Sequence, residues 1–317
     1  SELTYNLRTK RIKAFAYDDG TTYSKFVARN GKGEIEQVKF PSIVEEREKD
    51  KSFGFQNFNF EKGKMKLKYG NEIYLLGEYG KRQSGTRGNF DFEGLGEHTI
   101  IRLLAGVSLI YPNVDKVEID QLAVGLNVQE FEQGKSQELI REFYRKHSTE
   151  DNEIIYQVPI NGEYKTKSIK INGTVCYAQG VGSYYDFILN FDGSVKNLEL
   201  TKRPYGFIDI GGQTVDSAVA EGDEIKNDTV KGFSDGTTDI FDKVSEDFNG
   251  MPITAVEEAY RTGQDQFHKQ NYSGEEIKAK CDEYFQRFVD DIYRNLLDKW
   301  SDFYDGIPQI VLCGGGS

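Results

Sequence analysis

The stretch Phe207 to Asp216, FIDIGGQTVD, constrains this chain more than any other. An apolar run delivers Asp209 to the end of a strand, two glycines follow, and Thr214, Val215, Ala218 and Val219 lead away. That pattern predicts strand, tight turn, strand. Gly211 and Gly212 permit positive φ and let backbone N–H groups approach an anion, while Asp209 can hold a hydrated metal ion beside it. The same design stands at Ala14 to Val27, AFAYDDGTTYSKFV, with Asp18 in the place of Asp209 and Gly20 in the place of Gly211. Two distant copies imply two lobes, each with a phosphate-gripping hairpin. A Rossmann or P-loop site would need a helix opening directly after the glycines; short β-rich runs ending at Asn30-Gly31 and Glu221-Gly222 follow instead.

A chain of 317 residues, 37% hydrophobic and 13% aromatic, is long enough for two domains with cores of their own. Its formal charge of −12, from 40 Lys and Arg against 52 Asp and Glu, argues against a general nucleic-acid surface, because affinity for the phosphate backbone needs clustered cations. The longest apolar run, Ile100 to Tyr111, is broken by Arg102 and falls short of the ~20 residues that span a bilayer. No leader pattern opens the sequence. Cys176, Cys281 and Cys313 form no CxxC pair, and His98, His147 and His268 each lack a second ligand at metal-site spacing. A cytoplasmic protein without a membrane partner is the expectation.

Along the chain, alternating runs predict strands at 11–17, 23–29 and 34–40, charge dominates 45–50, and aromatic-rich hairpins fill 53–79. A glycine-containing loop is expected at 89–96, a core helix from Glu97 to Pro112, a strand over 117–126 and a helix over 129–146. Further strands at 152–158, 164–171 and 175–178 are separated by Asn161-Gly162 and Asn172-Gly173, which read as hairpin turns. The basic Lys202-Arg203-Pro204 marks the lobe boundary, giving domains 1–201 and 202–317. Beyond it, Asp235 is the expected cap of a helix with Ile240, Val244 and Phe248 on one face. A short helix over 253–261 follows, then a long one from Gly274 whose stripe runs from Ile277 through Trp300 to Phe303, and a strand from Ile307 to Leu312 leading into Gly314, Gly315 and Gly316.

YDDGTTYSK at Tyr17 to Lys25, DIGGQTVD at Asp209 to Asp216 and VLCGGGS at Val311 to Ser317, in this order, resemble the two phosphate motifs and the adenosine motif of the actin and sugar-kinase superfamily. They look most like those of ParM-type bacterial actins, which segregate plasmids. The resemblance implies an α/β, two-lobed actin-like fold, each lobe a mixed sheet with flanking helices around a nucleotide cleft. It also implies an ATPase that binds ATP or GTP with Mg²⁺, polymerises into filaments, and reaches DNA only through a centromere-binding adaptor of ParR type. Family members continue past the adenosine motif with another helix, so a C-terminal helix is expected to be missing here.

Carried over by position, Asp18 and Asp209 would position Mg²⁺ through its waters, and Lys25 would neutralise phosphate charge. Asp19, Gly20, Thr21, Thr22, Gly211, Gly212, Gln213, Thr214 and Asp216 would line the phosphate turns, and Gly314, Gly315 and Gly316 would pass close to the nucleoside. Gln179 falls where the family orients the attacking water; ParM proteins carry Glu there and conventional actin Gln. Read without the resemblance, either Asp before Gly can be a turn former, Lys25 a solvent-facing strand residue, Gln179 an ordinary strand end and Asp216 a hairpin cap. A monomeric small-molecule kinase and a chaperone-like ATPase of the same fold are the competing functions. Their usual inserts or peptide-binding domain find no room in this chain.

Overall fold

The computed structural model describes residues 8–20, 22–47, 58–84, 96–126, 137–178, 181–190, 192–222, 224–263, 272–303, 305 and 309–315. Contacts divide the chain into two compact units, Ser1–Ala178 and Gln179–Ser317.

The first unit holds β1 (Thr9–Asp19), β2 (Tyr23–Arg29), β3 (Ile35–Pro41), β4 (Val44–Arg47), β5 (Met65–Tyr69) and β6 (Glu72–Leu76). Helices α1 (Gly77–Ser84) and α2 (Glu97–Ile110) follow, then β7 (Lys116–Leu126), α3 (Gln137–Lys146), β8 (Glu153–Ile160), β9 (Glu163–Ile171) and β10 (Thr174–Ala178). One mixed sheet runs in the order β3-β2-β1-β7-β9-β8-β5-β6-β4, with β10 also on β7. β1 is antiparallel to β2 and parallel to β7. The first half of β7 pairs with β9 and the second half, Leu122 to Leu126, with β10, both in parallel. Asn172-Gly173 is therefore no hairpin turn: β9 and β10 continue in one direction along β7, and the Asn-Gly pair interrupts the ladder without reversing the chain. Of the expected 129–146 helix, the described part is α3; 127–136, 48–57 and most of the expected 89–96 loop lie outside the described residues.

Apolar side chains of α2, among them Ile100, Leu103, Leu104 and Val107, are buried with Phe15, Tyr17, Phe26 and Leu122 in one core. Gly106 lets the helix sit tightly on β2, since a Cβ there would come within 2.5 Å of the Phe26 ring. Past the end of α2, the buried Lys167 ammonium donates to the carbonyls of Tyr111, Pro112 and Val114 at 3.0, 2.9 and 2.8 Å.

The second unit holds α4 (Val181–Ile188), a 3₁₀ turn (Leu198–Lys202), β11 (Tyr205–Ile210), β12 (Val215–Glu221), β13 (Glu224–Phe233), α5 (Thr237–Asp247), α6 (Ile253–Thr262), α7 (Gly274–Trp300) and β14 (Ile310–Cys313). Its sheet is ordered β13-β12-β11-β14, with β14 parallel to β11 and the rest antiparallel. Alternation along β11 gives the sheet two buried faces. Phe207 packs with Tyr184, Ile188 and Tyr205, while Ile208 packs with Val215, Val219 and the α7 residues Phe288, Ile292, Leu296 and Trp300. The contact division thus precedes the expected 201/202 line because α4, which the sequence pattern did not reveal, covers one face of this sheet through Tyr184 and Ile188. α7 opens on a reciprocal cap, Ser273 Oγ accepting from the Glu276 N–H and the Glu276 carboxylate accepting from the Ser273 N–H. α5 is capped differently from expectation. Its N-cap is Gly236, whose N–H donates to Asp239 at 2.7 Å, while Asp235 pairs with Lys243 at 3.4 Å.

Candidate functional site

In the first unit, the parallel strands β1, β7 and β10 bring Asp18, Gly125 and Tyr177 to one level, Gly125 pairing with both neighbours. Space beyond the carboxyl ends of such strands is where open α/β sheets take ligands. Burial, with Asp18 and Cys176 nearby, pushes the Tyr177 phenol up to about 12. Asp18 stands directly across from Lys25 on β2 and receives its ammonium at 3.0 Å.

The β1–β2 turn is tied down from below. The Ser42 hydroxyl donates to the Gly20 carbonyl at 2.5 Å, the Ser42 N–H donates to the Thr22 carbonyl at 3.0 Å, and Ser24 Oγ lies 2.9 Å from Ser42 Oγ. Gly20 is needed for closeness: a Cβ would meet the Tyr23 carbonyl oxygen at 2.7 Å. Asp19 points away from Asp18, as alternation along a strand requires. Its carboxylate accepts from Arg102 Nε and Nη2 at 2.6 and 2.8 Å and from Thr99 Oγ1 at 2.7 Å. Ser42, Thr99 and Arg102 are the residues that sequence reasoning missed. They are remote from the motif along the chain, and nothing in their local sequence signals a partner.

In the second unit, Asp209, one residue before the end of β11, stands opposite Asp216 of β12 and beside Cys313 of β14. The turn closes with the Gly211 N–H donating to the Thr214 carbonyl at 2.8 Å, and a Cβ on Gly211 would meet that same oxygen at 2.9 Å. Neither Gly20 nor Gly211 has positive φ, so both turns use their glycine for close backbone approach rather than for left-handed geometry. Thr214 Oγ1 lies 3.5 Å from the buried carboxylate of Asp216. α5 begins against this turn. The Thr237 N–H donates to the Gly211 carbonyl at 3.1 Å and the Thr238 N–H to the Gly212 carbonyl at 2.6 Å, and a Cβ on Gly236 would strike the backbone of Gly212 and Gln213.

Gly314 has φ +93, and a Cβ there would collide with the Ile210 carbonyl and Asp209 Oδ1, whereas one on Gly315 would meet nothing within 4 Å. The first glycine of the run is thus fixed by the fold, and the second faces open space. The structure accordingly gathers Asp18, Asp19, Gly20, Thr22 and Lys25 around one turn, and Asp209, Gly211, Gly212, Gln213, Thr214, Asp216, Gly314 and Gly315 around the other. Thr21, Gln179 and Gly316 lie outside the described residues. Among the described residues no group of three or more His, Cys, Asp or Glu side chains could hold a metal ion. A hard cation at either turn would have to bring water or ligand oxygens of its own.

The family model described as the N-terminal domain of actin-like proteins matches residues 16–182, more than half of the chain. The chain belongs to the actin-like proteins. A second model, of the C-terminal domain of archaeal MreB-like actin homologues, matches residues 207–317. No curated protein matches this sequence. Solved structures share the actin-like fold at low identity. A ParM from Clostridium botulinum, solved as a 15-stranded filament, is 19% identical with a TM-score of 0.73, the match covering 97% of this chain and 89% of that one. The actin-like protein Alp7A is 15% identical at 0.71, covering 96% and 84%. An archaeal actin homologue in complex with ADP is 16% identical at 0.68, covering 96% and 88%. The fold class is the expected one, α/β with two mixed sheets and flanking helices. No helix among the described residues of this actin-like chain is long and apolar enough to cross a membrane.

Proposed function

We propose that this actin-like protein binds a purine nucleotide, ATP or GTP, with Mg²⁺, assembles into filaments in the triphosphate state, and hydrolyses the nucleotide to disassemble. The observation that carries the reading is that each unit holds an Asp-bearing, closely packed glycine turn, and that in the second unit the first member of a glycine run lies against Asp209. Backbone N–H groups around Gly20 to Thr22 and Gly211 to Thr214 would receive phosphate oxygens, and Lys25 would share its charge between Asp18 and phosphate. Asp18 and Asp209 would hold the waters of Mg²⁺, which when bound supplies positive charge against the phosphate oxygens. Gly315, open on its outer side, would let the nucleoside approach the backbone. Gln179, directly after β10, would orient the attacking water. In the cell, such filaments would move plasmid DNA through a separate basic adaptor of ParR type, since a chain of charge −12 offers little to DNA directly.

An archaeal homologue solved with ADP and a ParM solved as a filament support the nucleotide and the assembly parts of this reading respectively. The test is sedimentation and electron microscopy over a range of protein concentrations, with Mg²⁺ and either ATP, GTP or no nucleotide. Nucleotide-dependent filaments that shorten as phosphate is released are the expected result. A chain that stays monomeric with both nucleotides while phosphorylating a small metabolite would replace this reading with a kinase.

A further inference from the structure

Asp18 and Asp19 are neighbours in sequence and opposites in surroundings. Asp18 lies on the partly open side, with Lys25. Asp19 is turned beneath the turn, its side chain 12% exposed and that of Arg102 13%. The guanidinium grips both carboxylate oxygens in a two-pronged pair, and Thr99 in the first turn of α2 adds a third donor. Tyr17, buried and stacked on Phe26 at 4.8 Å, donates its hydroxyl to the Thr99 carbonyl at 3.2 Å. The group joins α2 to the last residues of β1, immediately before Gly20.

A second carboxylate at a phosphate-binding turn is an electrostatic liability: with the opposite orientation or without its cation it would repel the ligand. We infer that Arg102 and Thr99 are positioning residues for the first phosphate turn, holding Asp19 neutralised and turned inward so that Asp18 and the Gly20 N–H are presented in fixed orientation to an anion. Asp19 then serves the ligand through its backbone and its place in the pair, and not as a ligating side chain. This inference rests on the nucleotide reading proposed above. Burial works against charge on Arg102, and the Asp19 carboxylate more than offsets it, raising the guanidinium pKa well above its ordinary value. Two short contacts at 2.6 and 2.8 Å between side chains that are both nearly buried make a tight charge-assisted pair, and removing only the cation leaves the buried carboxylate without its partner.

The test measures Mg·ATP and Mg·ADP binding by calorimetry for wild type, Arg102→Met, Arg102→Lys, Thr99→Val and the double variant Asp19→Asn/Arg102→Met, with thermal unfolding of each without nucleotide. Arg102→Met is expected to lose at least about tenfold in affinity, because the uncompensated carboxylate repels phosphate and loosens the turn. Arg102→Lys keeps the charge without the fork and falls between. Thr99→Val, which removes the third donor to Asp19, is expected to lose a few-fold, and where Arg102→Met does not fold its unaltered affinity overturns the inference by itself. The double variant, with no stranded charge, regains most of the loss even where its unfolding temperature stays low, a result that a purely structural role would not give. Wild-type binding together with unaltered affinity in Arg102→Met and Thr99→Val overturns the inference alone. Equal losses in the single and double Arg102 variants also overturn it, in favour of packing. A wild type that binds no purine nucleotide overturns the nucleotide reading itself.

Discussion

At the residue scale, adjacent glycines at the end of β14 are asked to do different things. Gly314 carries φ +93 and has the Asp209 carboxylate and the Ile210 carbonyl where a side chain would go, so Gly314→Ala must distort the backbone at the end of β11. The expected cost is about 1–3 kcal/mol of stability, read as a lower unfolding temperature, together with loss of nucleotide affinity as Asp209 is displaced. Gly315→Ala meets nothing within 4 Å and should unfold like wild type, yet lose affinity if the nucleoside passes there. Equal unfolding of the two variants would remove the close-packing account; unchanged binding in Gly315→Ala would move the nucleoside elsewhere. The sequence discloses the glycine run but not which member is indispensable, because that depends on where β11 lies beside β14. Asp19 teaches the same lesson. Its place in the motif was legible, whereas its partner lies 83 residues away on α2, and no local pattern names a contact across that distance.

At the element scale, α2 is held to the first unit's sheet at both ends and in the middle: Asp19 binds its first turn, Phe26 fits over Gly106, and Lys167 gathers the carbonyls that follow its last turn. Lys167→Met would take the ammonium from three carbonyls, of which that of Tyr111 still accepts from the Val114 N–H at 3.2 Å, a loss of about 1–3 kcal/mol by chemical denaturation. Its pH dependence has a definite sign. Burial lowers the Lys167 pKa from 10.5 to about 8, so the folded protein gives up this proton first, and between those values the unfolded chain holds more proton. Stability conferred by this group therefore rises from pH 8 toward 10.5 and is lost as pH falls through 8, and the gap between wild type and Lys167→Met should widen over pH 8 to 9.5. A gap that narrows would mean that the three carbonyl acceptors outweigh burial in holding the proton. Most elements were legible from period: α2, α7 and the strands of both turns follow their apolar spacing. Two features were not. VGSYYDFI in α4 is rich in aromatic and β-branched residues that suit a strand equally well, and packing on Phe207 and Tyr205 settles it as helix. Asn172-Gly173 carries the strongest hairpin signal, yet β7 is long enough to pair with β9 and β10 in succession, so tertiary pairing overrides turn chemistry.

At the scale of the whole molecule, charge is divided unevenly. Ser1–Ala178 carries 27 Lys and Arg against 26 Asp and Glu, and Gln179–Ser317 carries 13 against 26, so the second unit accounts for the entire negative excess. Any contact between copies that set second unit against second unit would oppose like charge with like. A contact that sets the near-neutral first unit of one copy against the acidic second unit of the next meets less resistance, and repeated without closure such a heterologous contact builds an open polymer. The proposed filament should consequently form more readily as repulsion is screened. At fixed nucleotide and Mg²⁺, raising monovalent salt from about 10 to about 150 mM shortens the screening length from ~30 to ~8 Å, which weakens long-range repulsion while sparing apolar contact. The critical concentration for sedimentation is expected to fall severalfold over that range and then level off. A critical concentration that climbs steadily with salt would show instead that subunits are joined chiefly by complementary surface charges, with the cations of the first unit concentrated at the contact rather than spread over its surface.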